Sequence, residues 1–88
     1  DHGEAALLRS CYRRSLALAG EHRLREVAFP AISCGIYRFP PAAAVGIAVA
    51  EAVAVLTREA WPASVVFACF SADMARLYEQ ELARIGAV

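Results

Sequence analysis

Apolar residues recur at three- and four-residue steps over residues 4–19. Leu8, Cys11, Tyr12, Leu16 and Ala19 form one stripe, and Arg9, Arg13 and Arg14 fall mainly outside it. That period predicts an amphipathic helix, with Gly20, directly after the stripe, as its C-terminal cap. Beyond the polar link Glu21-His22-Arg23 the period vanishes. Val27-Ala28-Phe29-Pro30-Ala31-Ile32 is a continuous apolar run, which reads as a short strand buried on both faces. Pro30 has no amide to donate and belongs near an edge or a bulge. A second helix is expected from Pro40 or Pro41, where a fixed φ suits the first turn. It runs through Val45, Val49, Ala52, Val53 and Leu56 and ends before Trp61-Pro62. Val65-Val66-Phe67-Ala68-Cys69-Phe70 predicts a second buried strand. Ser71 then caps a last helix, with Asp73 favourably placed against the helix dipole. Met74, Leu77, Tyr78, Leu82 and Ile85 form the apolar stripe of that helix, and Gly86 ends it.

The resulting order, α-β-α-β-α, is that of an α/β protein built on one parallel βαβ unit with a crossover helix. Eighty-eight residues suffice for one small domain with one core. A parallel pair by itself leaves unpaired backbone along both edges, and parallel sheets usually contain more strands. Either another chain supplies strands or the sequence is a piece of a larger α/β domain. Val27-Ala28-Phe29 and Val65-Val66-Phe67 are accordingly expected to pair with a second copy or with a complementary segment.

Composition narrows the function classes. Nine acidic residues balance nine arginines, and lysine is absent, so no overall field attracts nucleic acid or an anionic membrane. The stretch from Pro41 to Leu56 is mostly alanine and valine but holds Glu51, and a membrane span needs about 20 strongly apolar residues. It is expected to be a buried helix of a soluble domain. The opening Asp1-His2-Gly3-Glu4 lacks the basic-then-apolar pattern of a signal peptide. Cys11, Cys34 and Cys69 form no CxxC pair and read as two buried thiols and one loop thiol in a reducing compartment. A cytoplasmic location is therefore expected. His2 and His22 lie far apart, and neither a metal nor a redox cofactor is implied.

Ligands of open α/β sheets bind beyond the carboxyl ends of the strands. Here those ends are residues 33–39 and 70–72. Small Ser33 and Gly35 let main-chain N–H groups approach an anion, and the following helix N-terminus adds partial positive charge. Tyr37 and Phe70 offer aromatic surface to a base or a sugar. The pattern suits a phosphate-bearing, nucleotide-like ligand, and equally a strand-to-helix turn whose glycine serves geometry alone. Cys34 invites comparison with a C-x5-R nucleophile loop, yet Arg38 stands one residue short of that spacing and no acid or histidine supports it. Cys34 is read as a small residue tolerated in the loop. Tyr12 and Tyr78 are read as core, Arg13 and Arg14 as a solvated face, and Glu51 as a solvated or paired helix residue. Phe70 stays open between core packing and base stacking.

The segments "CYRRSLALA", "VAFPAISCGIYRFP" and "VVFACFSAD…LYEQEL", in that order, resemble the C-terminal half of a macro domain, the ADP-ribose-binding module. The resemblance runs over nearly all of residues 1–88 and implies a three-layer macro-domain-like fragment. By it, Ser33, Cys34, Gly35 and Ile36 hold a diphosphate through backbone amides, Tyr37 flanks the distal ribose, and Phe70 packs on adenine. Two departures stand out. Arg38 occupies a position that is often glycine in the family, where it either carries strain or adds a phosphate contact. The family's early strands, asparagine-bearing strand end and glycine-rich first loop have no counterpart, and the sequence contains no asparagine. Those parts supply adenine contacts and, in hydrolytic members, much of the catalytic apparatus, so no catalytic residue is assigned. The expected ligand is ADP-ribose or an ADP-ribosylated molecule. In a complete domain the resemblance implies hydrolysis of ADP-ribosyl or O-acyl-ADP-ribose esters, with a non-catalytic reader or an oligomerising structural fragment as alternatives.

Overall fold

The computed structural model of the chain describes residues 3–30, 40–69 and 71–86. Helix α1 spans Glu4–Glu21, strand β1 Glu26–Pro30, helix α2 Pro41–Arg58, strand β2 Ser64–Ala68 and helix α3 Ala72–Arg84. The strands pair in parallel, with Val27 opposite Val65, Ala28 opposite Val66 and Phe29 opposite Phe67. The α-β-α-β-α order and the parallel βαβ unit are those expected from the apolar pattern.

The pleat sends alternate side chains to opposite faces, and among the described residues only one of these faces is covered. Val27, Phe29, Val65 and Phe67 are half-buried, whereas Ala28, Val66 and Ala68 are exposed. Phe29 and Phe67 pack onto a cluster of Tyr12 and Leu16 from α1, Val45, Ala48, Val49 and Val55 from α2, and Tyr78 from α3. Tyr12 meets Phe29 edge-on at 5.0 Å, and Tyr78 stacks on Phe67 at 4.7 Å. These contacts put all three helices against the same side of the sheet. Strand burial on both faces, expected from the continuous apolar runs, is thus met on one face only. A three-layer arrangement needs a further layer over Ala28, Val66 and Ala68, which the described residues do not provide.

Helix α2 is long and apolar enough, by length and composition, to cross a membrane. Here its apolar residues have another use: Ala44, Val45, Ala48, Val49, Ala52 and Val55 are buried against the other elements. Glu51 is buried with them, and its charge is met from α1. The Arg13 Nε donates to Glu51 Oε1 at 2.9 Å, and the Arg9 Nε lies 3.9 Å from Oε2. Arg13 therefore reaches across to the neighbouring helix and is not purely a solvated residue. Cys11, expected in the buried stripe of α1, is exposed, as is Ile85 at the end of α3. Cys69 is half-buried.

The end of α1 corrects the reading of Gly20. The helix continues through Glu21, and the left-handed residue that terminates it is Arg23, with φ 53°. The Arg23 amide donates to the Gly20 carbonyl at 3.1 Å and the Leu24 amide to the Ala19 carbonyl at 2.9 Å. That pair of bonds is a Schellman motif with arginine where glycine is usual. Arg23→Gly is expected to raise stability by about 0.5–1 kcal/mol, because relief of left-handed strain outweighs the extra chain entropy of glycine. Urea unfolding followed by circular dichroism measures it.

Gly20 is glycine for a different reason. A Cβ there would lie 2.9 Å from the Trp61 carbonyl oxygen. The turn carrying Trp61 into the fully buried Pro62 thus sits directly on the helix backbone. Gly20→Ala must push that backbone away, and a loss of about 1–3 kcal/mol is expected in the same unfolding measurement. Gly86, by contrast, ends α3 as expected, with φ 76° and its amide bonded to the Ala83 carbonyl at 3.2 Å.

Candidate functional site

Both strands deliver the chain to the same edge of the sheet, β1 at Pro30 and β2 at Ala68. Each strand is followed by a helix N-terminus on that edge, so two sets of unpaired backbone amides converge there. The two ends differ in chemistry. At α3, Ser71 has extended backbone and its Oγ accepts from the Met74 amide at 3.1 Å. Asp73 in the first turn already answers the dipole and pairs with Arg76 at 3.1 Å. At α2, extended Pro40 precedes Pro41 in the first helical position, with neither a side-chain cap bond nor an acidic residue in the first turn. Proline presets the backbone of that turn but caps nothing. The start of α2 is therefore the better place on this edge for an anion, since 18 residues of helix end there with positive partial charge.

The residues that the sequence singles out for binding, Ser33, Cys34, Gly35, Ile36, Tyr37 and Phe70, lie outside the described residues, as does Arg38. What is described is the frame: residues 31–39 connect β1 to Pro40, immediately before the start of α2, which has no side-chain cap among the described residues. Phe70 falls between β2 and the Ser71 cap. Tyr12 and Tyr78 are buried in the core, as read from their helical positions.

The difference between the two helix ends follows from Pro41 and Ser71, both visible in the sequence, although it takes the parallel register to bring the ends to one edge. The Glu51–Arg13 pair lies elsewhere and was not legible from spacing. At the far end of α3, two hydrogen bonds from Arg84 hold the Glu81 carboxyl below its ordinary value. Among the described residues, no cluster of three histidine, cysteine or acidic side chains could hold a metal ion.

Comparison with known proteins agrees with this frame. The Macro domain family model matches residues 1–48. A macro domain-containing protein of Mesorhizobium japonicum is 49% identical over 83 residues, which are 94% of this chain and 47% of that protein. An O-acetyl-ADP-ribose deacetylase of Salmonella newport is 44% identical over 86 residues, 98% of this chain and 48% of the enzyme. Among solved structures, an Oceanobacillus iheyensis macrodomain with ADP superimposes with a TM-score of 0.88 at 28% identity, covering 98% of this chain and 45% of that one. A Trypanosoma brucei macrodomain in complex with ADP-ribose gives 0.79 at 35% identity, covering 86% and 33%. The chain belongs to the macro domain family. It spans about half the length of the curated relatives it matches.

Proposed function

We propose that the chain forms the diphosphate and distal-ribose side of an ADP-ribose site. In this reading the backbone amides of Ser33, Cys34, Gly35 and Ile36 surround the diphosphate, Tyr37 flanks the distal ribose, and Phe70 packs on adenine. The observation that carries it is the junction of the glycine-containing segment 31–39 with the uncapped start of α2, in a chain of the macro domain family. Backbone amides and a helix dipole stabilise a diphosphate without the desolvation that buried cationic side chains require.

Similarity to the Salmonella newport O-acetyl-ADP-ribose deacetylase favours a second step, hydrolysis of an O-acyl-ADP-ribose ester in the whole protein. Water would add to the acyl carbonyl, the ester C–O bond would break, and the ribose hydroxyl would recover a proton. This chain would contribute orientation of the ligand and electrostatic stabilisation by backbone donors. The group that activates the water is not assigned. A cytoplasmic setting belongs to the same proposal and rests on the cysteine pattern of the sequence, three cysteines with no CxxC pair.

Isothermal titration with ADP-ribose, with AMP as the control, tests the binding. Saturable heat with preference for ADP-ribose is expected, because AMP lacks the second phosphate and the distal ribose. Equal affinity for the two ligands, or no heat from folded protein, would remove the diphosphate assignment. Self-association through the bare sheet face and the strand edges is the competing property. Sedimentation of the chain with and without ADP-ribose separates the two: a self-associating fragment without a site keeps the same mass and ignores the ligand.

A further inference from the structure

At the opposite end of the fold, where α1 and α2 both terminate, a groove of about 750 Å³ opens between them. That volume lies within the roughly 300–1,000 Å³ usual for small-ligand sites. Small residues from both helices contribute to its lining. Ala17 and Gly20 stand on α1 and Ala54 on α2, over a floor of Leu16 and Val55. The turn carrying Trp61 closes one end, and the close approach of its backbone to Gly20 fixes that wall against the helix.

The charges around the groove are unequal in their engagement. Arg13 is tied to Glu51 at 2.9 Å, and Arg58 to Glu59 at 3.1 Å. Glu21 remains, with no hydrogen bond or ion pair among the described residues. It is the last residue of α1, whose final turn carries no basic residue, and there the dipole disfavours a carboxylate. The C-terminus of α2 adds negative partial charge at the same end of the fold. Trp61, 37% exposed, also lines the groove. A carboxylate set against its own helix dipole, in a groove that also holds an exposed tryptophan and a run of small apolar residues, is an arrangement that a cation relieves.

We infer that this groove binds an organic cation of the alkylguanidinium or alkylammonium class. Its charge sits between Glu21 and Trp61, and its alkyl chain lies along Leu16, Ala17 and Ala54. The source is either a basic side chain of a protein or a free polyamine. The groove is separate from the sheet edge discussed above, so the inference does not rest on ADP-ribose binding.

Trp61 is the only tryptophan, so its fluorescence reports on the groove directly. The chain is titrated with ethylguanidinium, with the peptide acetyl-Gly-Arg-Gly-amide, with spermidine, and with ethylurea as the neutral isostere. A saturable change with the cations, none with ethylurea, and about tenfold weaker binding in Glu21→Gln are expected. Ala17→Leu, which fills the trough from an exposed helix position, should abolish the change while circular dichroism stays that of the parent. Tighter binding of the peptide identifies a protein side chain as the ligand, and tighter binding of spermidine a polyamine. Absence of saturation with every cation, an equal response to ethylurea, or undiminished binding by Glu21→Gln overturns the inference. ADP-ribose titration of Glu21→Gln should match the parent, which keeps the two sites experimentally distinct.

Discussion

Tyr12→Ala is expected to destabilise the chain by about 3–5 kcal/mol, the range for removing a large aromatic side chain from a packed core. Tyr12 is 3% exposed and is the one α1 side chain whose ring meets both strand phenylalanines, Phe29 at 5.0 Å and Phe67 at 6.5 Å. Through Phe67 the contact continues to Tyr78 of α3 at 4.7 Å, so the ring couples three elements. Its loss removes apolar burial, two edge-on aromatic contacts and support of the sheet face on which the helices pack. Small domains have net stabilities of about 5 kcal/mol or somewhat more, and here Ala28, Val66 and Ala68 of the sheet are exposed. Most of the margin should therefore disappear. Leu18→Ala on the exposed side of the same helix is the control; at 56% exposure it should change stability by less than about 0.5 kcal/mol. Urea titration of both variants by circular dichroism decides the point. Equal midpoints would mean that the aromatic cluster is not the core of this fold.

Much of that core could be read from the chain because helical periodicity reports burial directly. Tyr12, Leu16 and Ala19 recur at steps of four and three, and all three are buried. The α1 stripe overreached at Cys11, which is exposed, and the α3 stripe at Ile85, where that helix has already ended. A continuous apolar run carries less information than a periodic one. Val65-Val66-Phe67 shows that a strand has two apolar faces but not which of them this chain covers, and Val66 proves exposed. Contacts distant in sequence were invisible for a plainer reason. Nothing near Glu51 signals that Arg13, 38 residues earlier, will neutralise it.

Glycine illustrates the same limit at a single position. Gly20 follows an apolar stripe and so has the sequence context of a cap, yet its requirement comes from the Trp61 carbonyl 2.9 Å from where a Cβ would stand. The cap itself fell to Arg23, a residue that local propensity would not select. The candidate site divides in a similar way. Its frame was legible because Pro41 and Ser71 start helices by known local chemistry, whereas the glycine-containing segment acquired its meaning from family resemblance. No periodicity distinguishes a phosphate-binding turn from a geometric one.

Gly35→Glu is expected to reduce ADP-ribose affinity by at least about 100-fold, which corresponds to about 2.8 kcal/mol. In the proposed site the diphosphate is held by the amides around Gly35, at a place chosen for close backbone approach and positive potential. A carboxylate placed there opposes the ligand's charge directly; two unit charges 4–5 Å apart near a protein surface repel by about 3–4 kcal/mol. The side chain also occupies volume that the phosphate needs. Gly35→Ala separates these effects, since it adds a methyl group without charge and should weaken binding less than Gly35→Glu does. Titration calorimetry at two salt concentrations completes the test. The deficit of Gly35→Glu relative to Gly35→Ala should shrink as salt rises, because screening weakens repulsion between partly exposed charges. If Gly35→Glu binds ADP-ribose as tightly as the parent, the diphosphate does not lie against this segment. The open N-terminus of α2 would then need a different anion to explain it.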